Sequence, residues 1–338
     1  MATRETTQSS QDITEDSPDT LEVDTSESNS TLDDDHKIHA DSENDSYSFR
    51  YENGRRFHHY NNAAYHLPND ELESERLDLQ HQLWLIALDG KLHLAPISQD
   101  IKTALDIATG TGIWALDFAD QYPECKVIGT DLSPIQPTLN LPNCSFIVQD
   151  SHEEVWNYDH KFDFIHSRMV LFGWRDWSRY FRQAYKNLNP GGWLEIQEFS
   201  FPFECPDGSC SIEDPAIRWT QLVVEAAAKN GVNLRAFKDW GRQMQEAGFV
   251  DIHYKALRFP VNPWGKGKKA KLMGRLGLRD ALNGCSGITM RPLTKFLGWT
   301  PEEVDELVEA AKEQMLDRNI HVFMPIYVLY ARKPETEV

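Results

Sequence analysis

Residues 104–115 read A-L-D-I-A-T-G-T-G-I-W-A, in which an apolar strand runs into a glycine turn and then into a segment of helical period. Glycine has no Cβ atom, so a ligand can approach the backbone closely at Gly110 and Gly112. The amides at the N-terminus of the following helix offer hydrogen-bond donors and a favourable dipole. The stretch therefore predicts a ligand-binding turn between a strand and a helix, and Ala108 belongs to the same turn.

The second predicted strand, residues 126–130, ends in Asp131, which follows Gly112 by nineteen residues. A carboxylate at this position can accept both ribose hydroxyls of a cofactor that contains adenosine. Leu132 follows Asp131 and is assigned to the same cofactor contact. The order of strand, glycine turn, helix, strand and terminal acid predicts a nucleoside-binding domain.

Two classes of cofactor fit this order, because residues 110–115 also satisfy the pattern Gly-x-Gly-x-x-Ala of dinucleotide-binding turns. Three features favour S-adenosylmethionine. Asp106 ends the first strand, where an acid can hold a cationic methionine end. The third strand is followed by Asp150 and Ser151, and an acid at this place suits an adenine amino group. The chain ends in a long strand, residues 320–332, and not in a second mononucleotide-binding half. A dinucleotide oxidoreductase is the alternative.

Short apolar runs alternate with stretches of helical period from residue 104 onward, which is typical of an α/β domain with a doubly wound, mostly parallel sheet. Seven strands are predicted, at residues 104–107, 126–130, 144–148, 162–166, 193–198, 249–257 and 321–332. Helices are predicted at residues 71–88, 215–229 and 237–247, and a capping box at Thr300 opens another that ends near Asp317. A helical N-terminal cap and helical insertions thus surround a seven-stranded sheet.

Residues 1–46 carry 14 Asp and Glu residues against two basic ones, a net charge of −12 out of −19 for the whole chain. The segment has no aromatic residue, so it buries too little surface to offset the entropy of ordering. We expect a disordered acidic tail at 1–46, with docking of a protein partner as the alternative. One domain follows at 47–334, divided into an N-terminal cap (47–100), a cofactor-binding core (101–200) and acceptor-side insertions with the final strands (201–334).

Composition excludes several classes of function. An acidic chain binds nucleic acid poorly, and the basic cluster Lys266, Lys268, Lys269 and Lys271 is interpreted as a solvated loop. No run of 18 apolar residues predicts a membrane span. The first residues resemble neither a secretory signal nor a transit peptide, which predicts a cytoplasmic location with the nucleus as the alternative. Five scattered cysteines and the histidines near residue 60 lack ligand spacing, so no disulfide and no metal site is predicted.

The segment from Asp106 to Asp131 resembles motifs I and II of class I methyltransferases, with Ala108 in place of the first glycine. Residues 51–58 (YENGRRFH), 67–71 (LPNDE) and 76–81 (RLDLQH), with the glycine turn, are similar to the LaeA-like methyltransferases of filamentous fungi. The similarity covers about 47–334. It implies a Rossmann-like fold, S-adenosylmethionine as cofactor and a role in secondary metabolism. Members serve as biosynthetic methyltransferases or as nuclear regulators. We expect O-methylation of a small, largely apolar metabolite, with a LaeA-type regulator acting in a protein complex as the alternative.

Candidate catalytic and substrate residues follow the fourth and fifth predicted strands, at the carboxyl edge where such sheets bind ligands. His166 and Glu198 are the catalytic candidates, with His166 as a general base; a hydrogen-bonded structural histidine is the alternative. Arg168 is expected to anchor a substrate carboxylate or to pair with Glu198. Trp174 is a candidate wall of the acceptor pocket. Arg55, which precedes the first helix, is the candidate for binding the methionine carboxylate.

Overall fold

The structure is a computed structural model that describes residues 14–16, 21–24, 49–58, 65–138, 141–152 and 155–336. Its strands are β1 (Thr14–Asp16), β2 (Arg50–Glu52), β3 (Arg55–Phe57), β4 (Thr103–Ile107), β5 (Lys126–Asp131), β6 (Cys144–Val148), β7 (Phe162–Arg168), β8 (Leu188–Phe199), β9 (Val250–Pro260) and β10 (Phe323–Arg332). Its helices are α1 (Glu71–Ala87), α2 (Ile113–Gln121), α3 (Trp177–Asn187), α4 (Pro215–Lys229), α5 (Phe237–Ala247), α6 (Lys268–Pro292) and α7 (Pro301–Leu316).

The main sheet has the order β1-β9-β10-β8-β7-β4-β5-β6. Neighbours from β8 to β6 are parallel, whereas β10 runs antiparallel to both β8 and β9. All seven predicted strands are present, and the predicted doubly wound α/β fold is confirmed. The strand order reverses between β4 and β7, and such a switch point opens a crevice at the carboxyl ends of the strands.

The helix α6 is the main element that the sequence did not predict. It begins at Lys268, so the interpretation of the lysine cluster as a loop is wrong. A Cβ atom at Gly274 or Gly277 would collide with the backbone carbonyls of Asn262 and Pro260. The glycines therefore let α6 lie directly against the end of β9 and the residues after it. Because they replace larger apolar residues, they also weaken the regular spacing of apolar side chains by which a helix is recognised in a sequence.

Part of the acidic N-terminal segment is built into the fold. Thr14–Asp16 pairs in parallel with residues 253–255 of β9. Asp24 forms an ion pair of 2.6 Å with Lys271, and both side chains are largely buried. The predicted disorder of 1–46 is therefore wrong for 14–16 and 21–24, because backbone pairing and ion pairs replace the missing apolar contacts. The other residues of the predicted tail lie outside the described residues.

Within the described ranges, no helix combines the length and apolarity needed to cross a bilayer. No group of three or more His, Cys, Asp and Glu side chains in the same ranges is placed to hold a metal ion.

Candidate active site

The glycine turn between β4 and α2 has a left-handed backbone at three positions. Ala108, Gly110 and Gly112 have φ angles of 55°, 60° and 80°. A Cβ atom at Gly112 would lie 2.5 Å from the ring of Phe146, whereas one at Gly110 would face Leu77 of α1 at 3.2 Å. Gly112 thus permits close packing against β6, and Gly110 permits close approach of Leu77 from α1.

A cavity of about 990 Å³, including the space at its mouth, opens above the carboxyl ends of β4, β5, β6 and β7. Eight of the predicted site residues line it, namely Ala108, Gly110, Asp131, Leu132, Asp150, Ser151, Arg168 and Trp174. The structure therefore brings together most of the predicted cofactor residues and both predicted substrate residues.

Asp131 ties the glycine turn to the end of β5. Its Oδ2 accepts a hydrogen bond from the backbone N–H of Gly110 at 2.9 Å, and its Oδ1 accepts one from Ser133 N–H at 3.0 Å. Burial raises the pKa of Asp131 to about 6, although these N–H donors oppose the shift. Each carboxylate oxygen retains a second lone pair, which can accept a ligand hydroxyl.

The loop after β6 is fastened to the loop after β7. Asp150 Oδ1 accepts a hydrogen bond of 2.9 Å from the backbone N–H of His152 and lies 3.1 Å from its Nδ1. The pKa of Asp150 is lowered, mainly by this side-chain contact with His152. The His152 ring stacks on Trp174 with centroids 4.2 Å apart. The Trp156 indole donates to the carbonyl of Ser151 at 2.8 Å. Two aromatic rings and an acid thus close one end of the cavity.

Asp106 and His166 lie below the cavity and not in its wall. They are directly opposite in the β4–β7 register, and Asp106 Oδ1 is 2.7 Å from His166 Nδ1. The other carboxylate oxygen accepts a 2.5 Å hydrogen bond from Thr109. His166 is fully buried and stacks on Trp114 at 3.6 Å. Burial lowers its pKa, although Asp106 opposes the shift. Both side chains face α2 and the turn, so neither lines the cavity, and the expected direct contacts of Asp106 with cofactor and of His166 with acceptor stay predictions.

Glu198 is also enclosed. Its Oε2 accepts hydrogen bonds from the backbone N–H groups of Val170 and Leu171 at 2.7 and 2.9 Å, and its Oε1 accepts one from Phe199 at 3.1 Å. Burial raises its pKa to about 8. Glu198 does not line the cavity, and its expected role toward the acceptor stays a prediction. Glu198 instead holds the start of the loop that carries Trp174.

Of the two arginines predicted to bind a ligand, only Arg168 lines the cavity. Arg55 forms a bidentate ion pair with Asp70, at 2.6 and 2.9 Å, and Asp70 also caps α1, so Arg55 fastens β3 to that helix and does not line the cavity. Arg168 does line the cavity, and it contacts His81 and not Glu198. The predicted contact of Arg55 with the methionine carboxylate stays a prediction.

A family model described as a methyltransferase domain matches residues 79–254. The chain is 37% identical over 287 residues to methyltransferase pytC of Aspergillus terreus, with 85% of this chain and 88% of that protein covered. It is 33% identical over 295 residues to the secondary metabolism regulator laeA of Aspergillus fumigatus, with 86% and 78% covered. It is also 33% identical to the regulator LAE1 of Cochliobolus heterostrophus, with 84% and 94% covered.

The chain belongs to the LaeA-like class I methyltransferases. The cofactor of this methyltransferase is S-adenosylmethionine, as predicted, and not a dinucleotide. The cavity residues fit that cofactor. Asp131 offers lone pairs to a ribose diol, Asp150 offers an acceptor to an adenine amino group, and Gly110 of the glycine turn lines the same cavity.

Sequence reasoning missed the cavity residues that come from the N-terminal cap of the methyltransferase. Glu73, Leu77 and Gln80 line the cavity from one face of α1, and Tyr65 and Asn69 line it from the preceding segment. Spacings of four and three residues place side chains on one helix face. The signal was present, since all three helix residues fall within the predicted helix at 71–88.

Proposed function

We propose that this methyltransferase transfers the methyl group of S-adenosylmethionine to an oxygen atom of a small, largely apolar secondary metabolite. The observation that carries the proposal is the wall of the cavity beside the glycine turn. Tyr65, Met169, Val170 and Trp174 line it with apolar surface. Apolar walls with a few polar groups are typical of small-molecule sites. The names of pytC and laeA, a methyltransferase and a secondary metabolism regulator, support the assignment to secondary metabolism.

When bound, the cofactor would supply a methyl group on a sulfonium: an acceptor oxygen would form a bond to the methyl carbon as the carbon–sulfur bond breaks in line, and S-adenosylhomocysteine would leave. This chain contributes alignment and exclusion of water, and both lower the barrier of such a displacement. Tyr65 lies over Gly173, and Trp174 stacks on His152, so aromatic side chains shield the cavity. Because His166 is enclosed against Trp114, no proton transfer is assigned to it. We therefore favour acceptors with an acidic hydroxyl, such as a phenol or an enol.

The proposal is tested by incubating the purified protein with ¹³C-methyl S-adenosylmethionine and a metabolite extract from a strain that lacks the gene. Mass spectrometry should find one labelled product, or a few related ones, that the deletion strain lacks. An Asp131→Ala variant is the matched control and should give no label. The proposal fails if the active wild-type protein labels protein in a cell lysate and no metabolite.

The similarity to laeA over 86% of the chain favours a second candidate, a nuclear regulator that acts in a protein complex. In that case the acidic segment at 1–46 is the region proposed to contact a protein partner. The two candidates differ in location, since we propose the cytoplasm for the biosynthetic enzyme and the nucleus for the regulator. Fluorescent tagging and metabolite profiling of the deletion strain separate them. A regulator predicts nuclear signal and loss of many unrelated metabolites, whereas a biosynthetic enzyme predicts loss of one methylated product.

A further inference from the structure

Arg168 places a guanidinium in the cavity wall without a carboxylate partner. It is half-buried at the end of β7, and no Asp or Glu of the described residues forms an ion pair with it. A guanidinium remains charged in proteins and is stabilised in a partly buried site by an anion. Burial lowers the pKa of Arg168 to about 10, while Asp106 and Asp117 act in the opposite direction from a distance. The side chain is therefore suited to an anionic group of a ligand.

Two residues fix the direction of this guanidinium. Arg168 Nη2 lies 2.9 Å from His81 Nδ1, and His81 Nε2 lies 2.9 Å from Asp117 Oδ2. Arginine can only donate, so His81 Nδ1 accepts and the proton of the neutral ring lies on Nε2, which donates to Asp117. His81 is fully buried. The chain from Asp117 through His81 holds one edge of the Arg168 fork and leaves its other N–H groups for a ligand.

The order of the strands places Arg168 at one end of the cofactor cavity. Asp150 follows β6, Asp131 ends β5, Ala108 follows β4 and Arg168 ends β7, and these four strands are neighbours. Three strand spacings amount to about 14 Å. An extended nucleoside that is joined to an amino acid spans a comparable length. With adenine at Asp150 and ribose at Asp131, the amino-acid end comes to β7.

Contacts of α1 support the same placement of the amino-acid end at Arg168, independently of the strand order. Asn69, just before α1, donates to Ser133 after β5 at 2.9 Å. Further along the helix, Asp78 accepts a hydrogen bond of 2.7 Å from Thr111 of the glycine turn, and His81 reaches Arg168. The helix thus crosses the strand ends from the ribose position to Arg168.

We propose that Arg168 binds the carboxylate of the methionine half of S-adenosylmethionine, and that His81 and Asp117 position it. The function predicted from sequence for Arg55 is thereby assigned to Arg168, and Arg168 is withdrawn from the acceptor. The proposal rests on the cofactor and is independent of the identity of the acceptor.

The test compares two probes that differ by one carboxylate. S-adenosylhomocysteine carries the full amino-acid end, and S-adenosyl-3-thiopropylamine keeps the amine but lacks the carboxylate. Calorimetric titration of the wild-type protein should show that the first probe binds about 10- to 100-fold more tightly, the usual effect of a charge-assisted hydrogen-bonded pair. In Arg168→Gln this preference should disappear through weaker binding of S-adenosylhomocysteine alone. Arg55→Gln is the matched control and should keep the preference.

Further variants separate binding from folding. Arg168→Lys keeps the charge but loses the fork, so an intermediate preference is expected. His81→Leu should reduce the preference about 3- to 10-fold, and His81→Asn, which retains an acceptor, should restore it. A general loss of structure would weaken both probes equally and leave the ratio unchanged. A full preference in Arg168→Gln, or its loss in Arg55→Gln, overturns the proposal.

Discussion

Replacing Asp131 by Asn removes a negative charge while it keeps the size of the side chain. In the wild-type protein, the two carboxylate oxygens accept separate backbone N–H groups, from Gly110 at 2.9 Å and from Ser133 at 3.0 Å. Asparagine has one oxygen, so one of these donors would face an amide NH₂ group. A buried donor without an acceptor costs about 1–3 kcal/mol. The glycine turn or the loop after β5 should therefore move, and the ribose loses a charged acceptor.

The expected consequence is a loss of about 10- to 100-fold in affinity for S-adenosylhomocysteine, measured by calorimetric titration at pH 7.5. The affinity of the wild-type protein should also depend on pH. Burial raises the pKa of Asp131 to about 6, and ribose hydroxyls donate best to the ionised form. Acidification from pH 7.5 through about 6 should therefore weaken binding by the wild-type protein and leave the Asn variant nearly unaffected. The stability of the fold should change with pH in the opposite direction. Because the pKa of Asp131 is raised in the folded state, the group stabilises the fold below about pH 3.8, and this stabilisation is lost as the pH rises through about 6.

Asp131→Ala removes the side-chain acceptor of both backbone N–H groups and also the acceptor for the ribose. Unchanged affinity in both Asp131 variants at pH 7.5 would refute the assignment of this carboxylate to the ribose. A wild-type affinity that stays level between pH 7.5 and 5 would refute the charge argument alone.

Four further outcomes are expected. Gly112→Ala should lower the free energy of unfolding, measured in urea, more than Gly110→Ala does, because only the alanine at 112 places a Cβ atom against the ring of Phe146. Gly110→Ala should reduce cofactor affinity more than Gly112→Ala does, as measured by calorimetric titration. His166→Ala should destabilise the fold by about 2–4 kcal/mol in urea, and normal stability with a selective loss of turnover would contradict this structural role. Glu198→Gln should retain cofactor affinity and Glu198→Ala should lower the Tm, because only Gln offers an acceptor to the loop amides. Removal of residues 1–24 should lower the Tm by about 2–5 °C in calorimetry, and an unchanged Tm would show that these contacts add no stability.

The sheet and the cofactor half of the site were predictable because their signals are local. Apolar runs, the left-handed glycine turn and Asp131 occur within 28 residues of each other, and each acts through the backbone around it. The strand ends of β4 and β5 are adjacent in the sheet, so correct strands place Asp131 beside Gly110.

The direction of single side chains was not predictable in the same way. His166 and Glu198 lie at or near strand ends, as predicted, but residues distant in sequence decide where they face. Trp114 covers His166, and the amides of the loop after β7 surround Glu198. The position of Arg55 outside the cavity has a similar reason, since its partner Asp70 lies 15 residues further along the chain.

The short strand β1 bears on how this protein behaves at high concentration. It occupies one edge of the sheet, where β9 would otherwise present a row of unpaired N–H and C=O groups. Uncovered strand edges are templates for edge-to-edge pairing between molecules, and charge near the edge opposes such pairing. The part of the chain that covers this edge in the described residues, Thr14–Asp16, pairs with residues 253–255 of β9 and includes two acidic residues, Glu15 and Asp16. Copies that approach through this edge therefore meet a very short, acidic outermost strand, and both features disfavour edge-to-edge pairing.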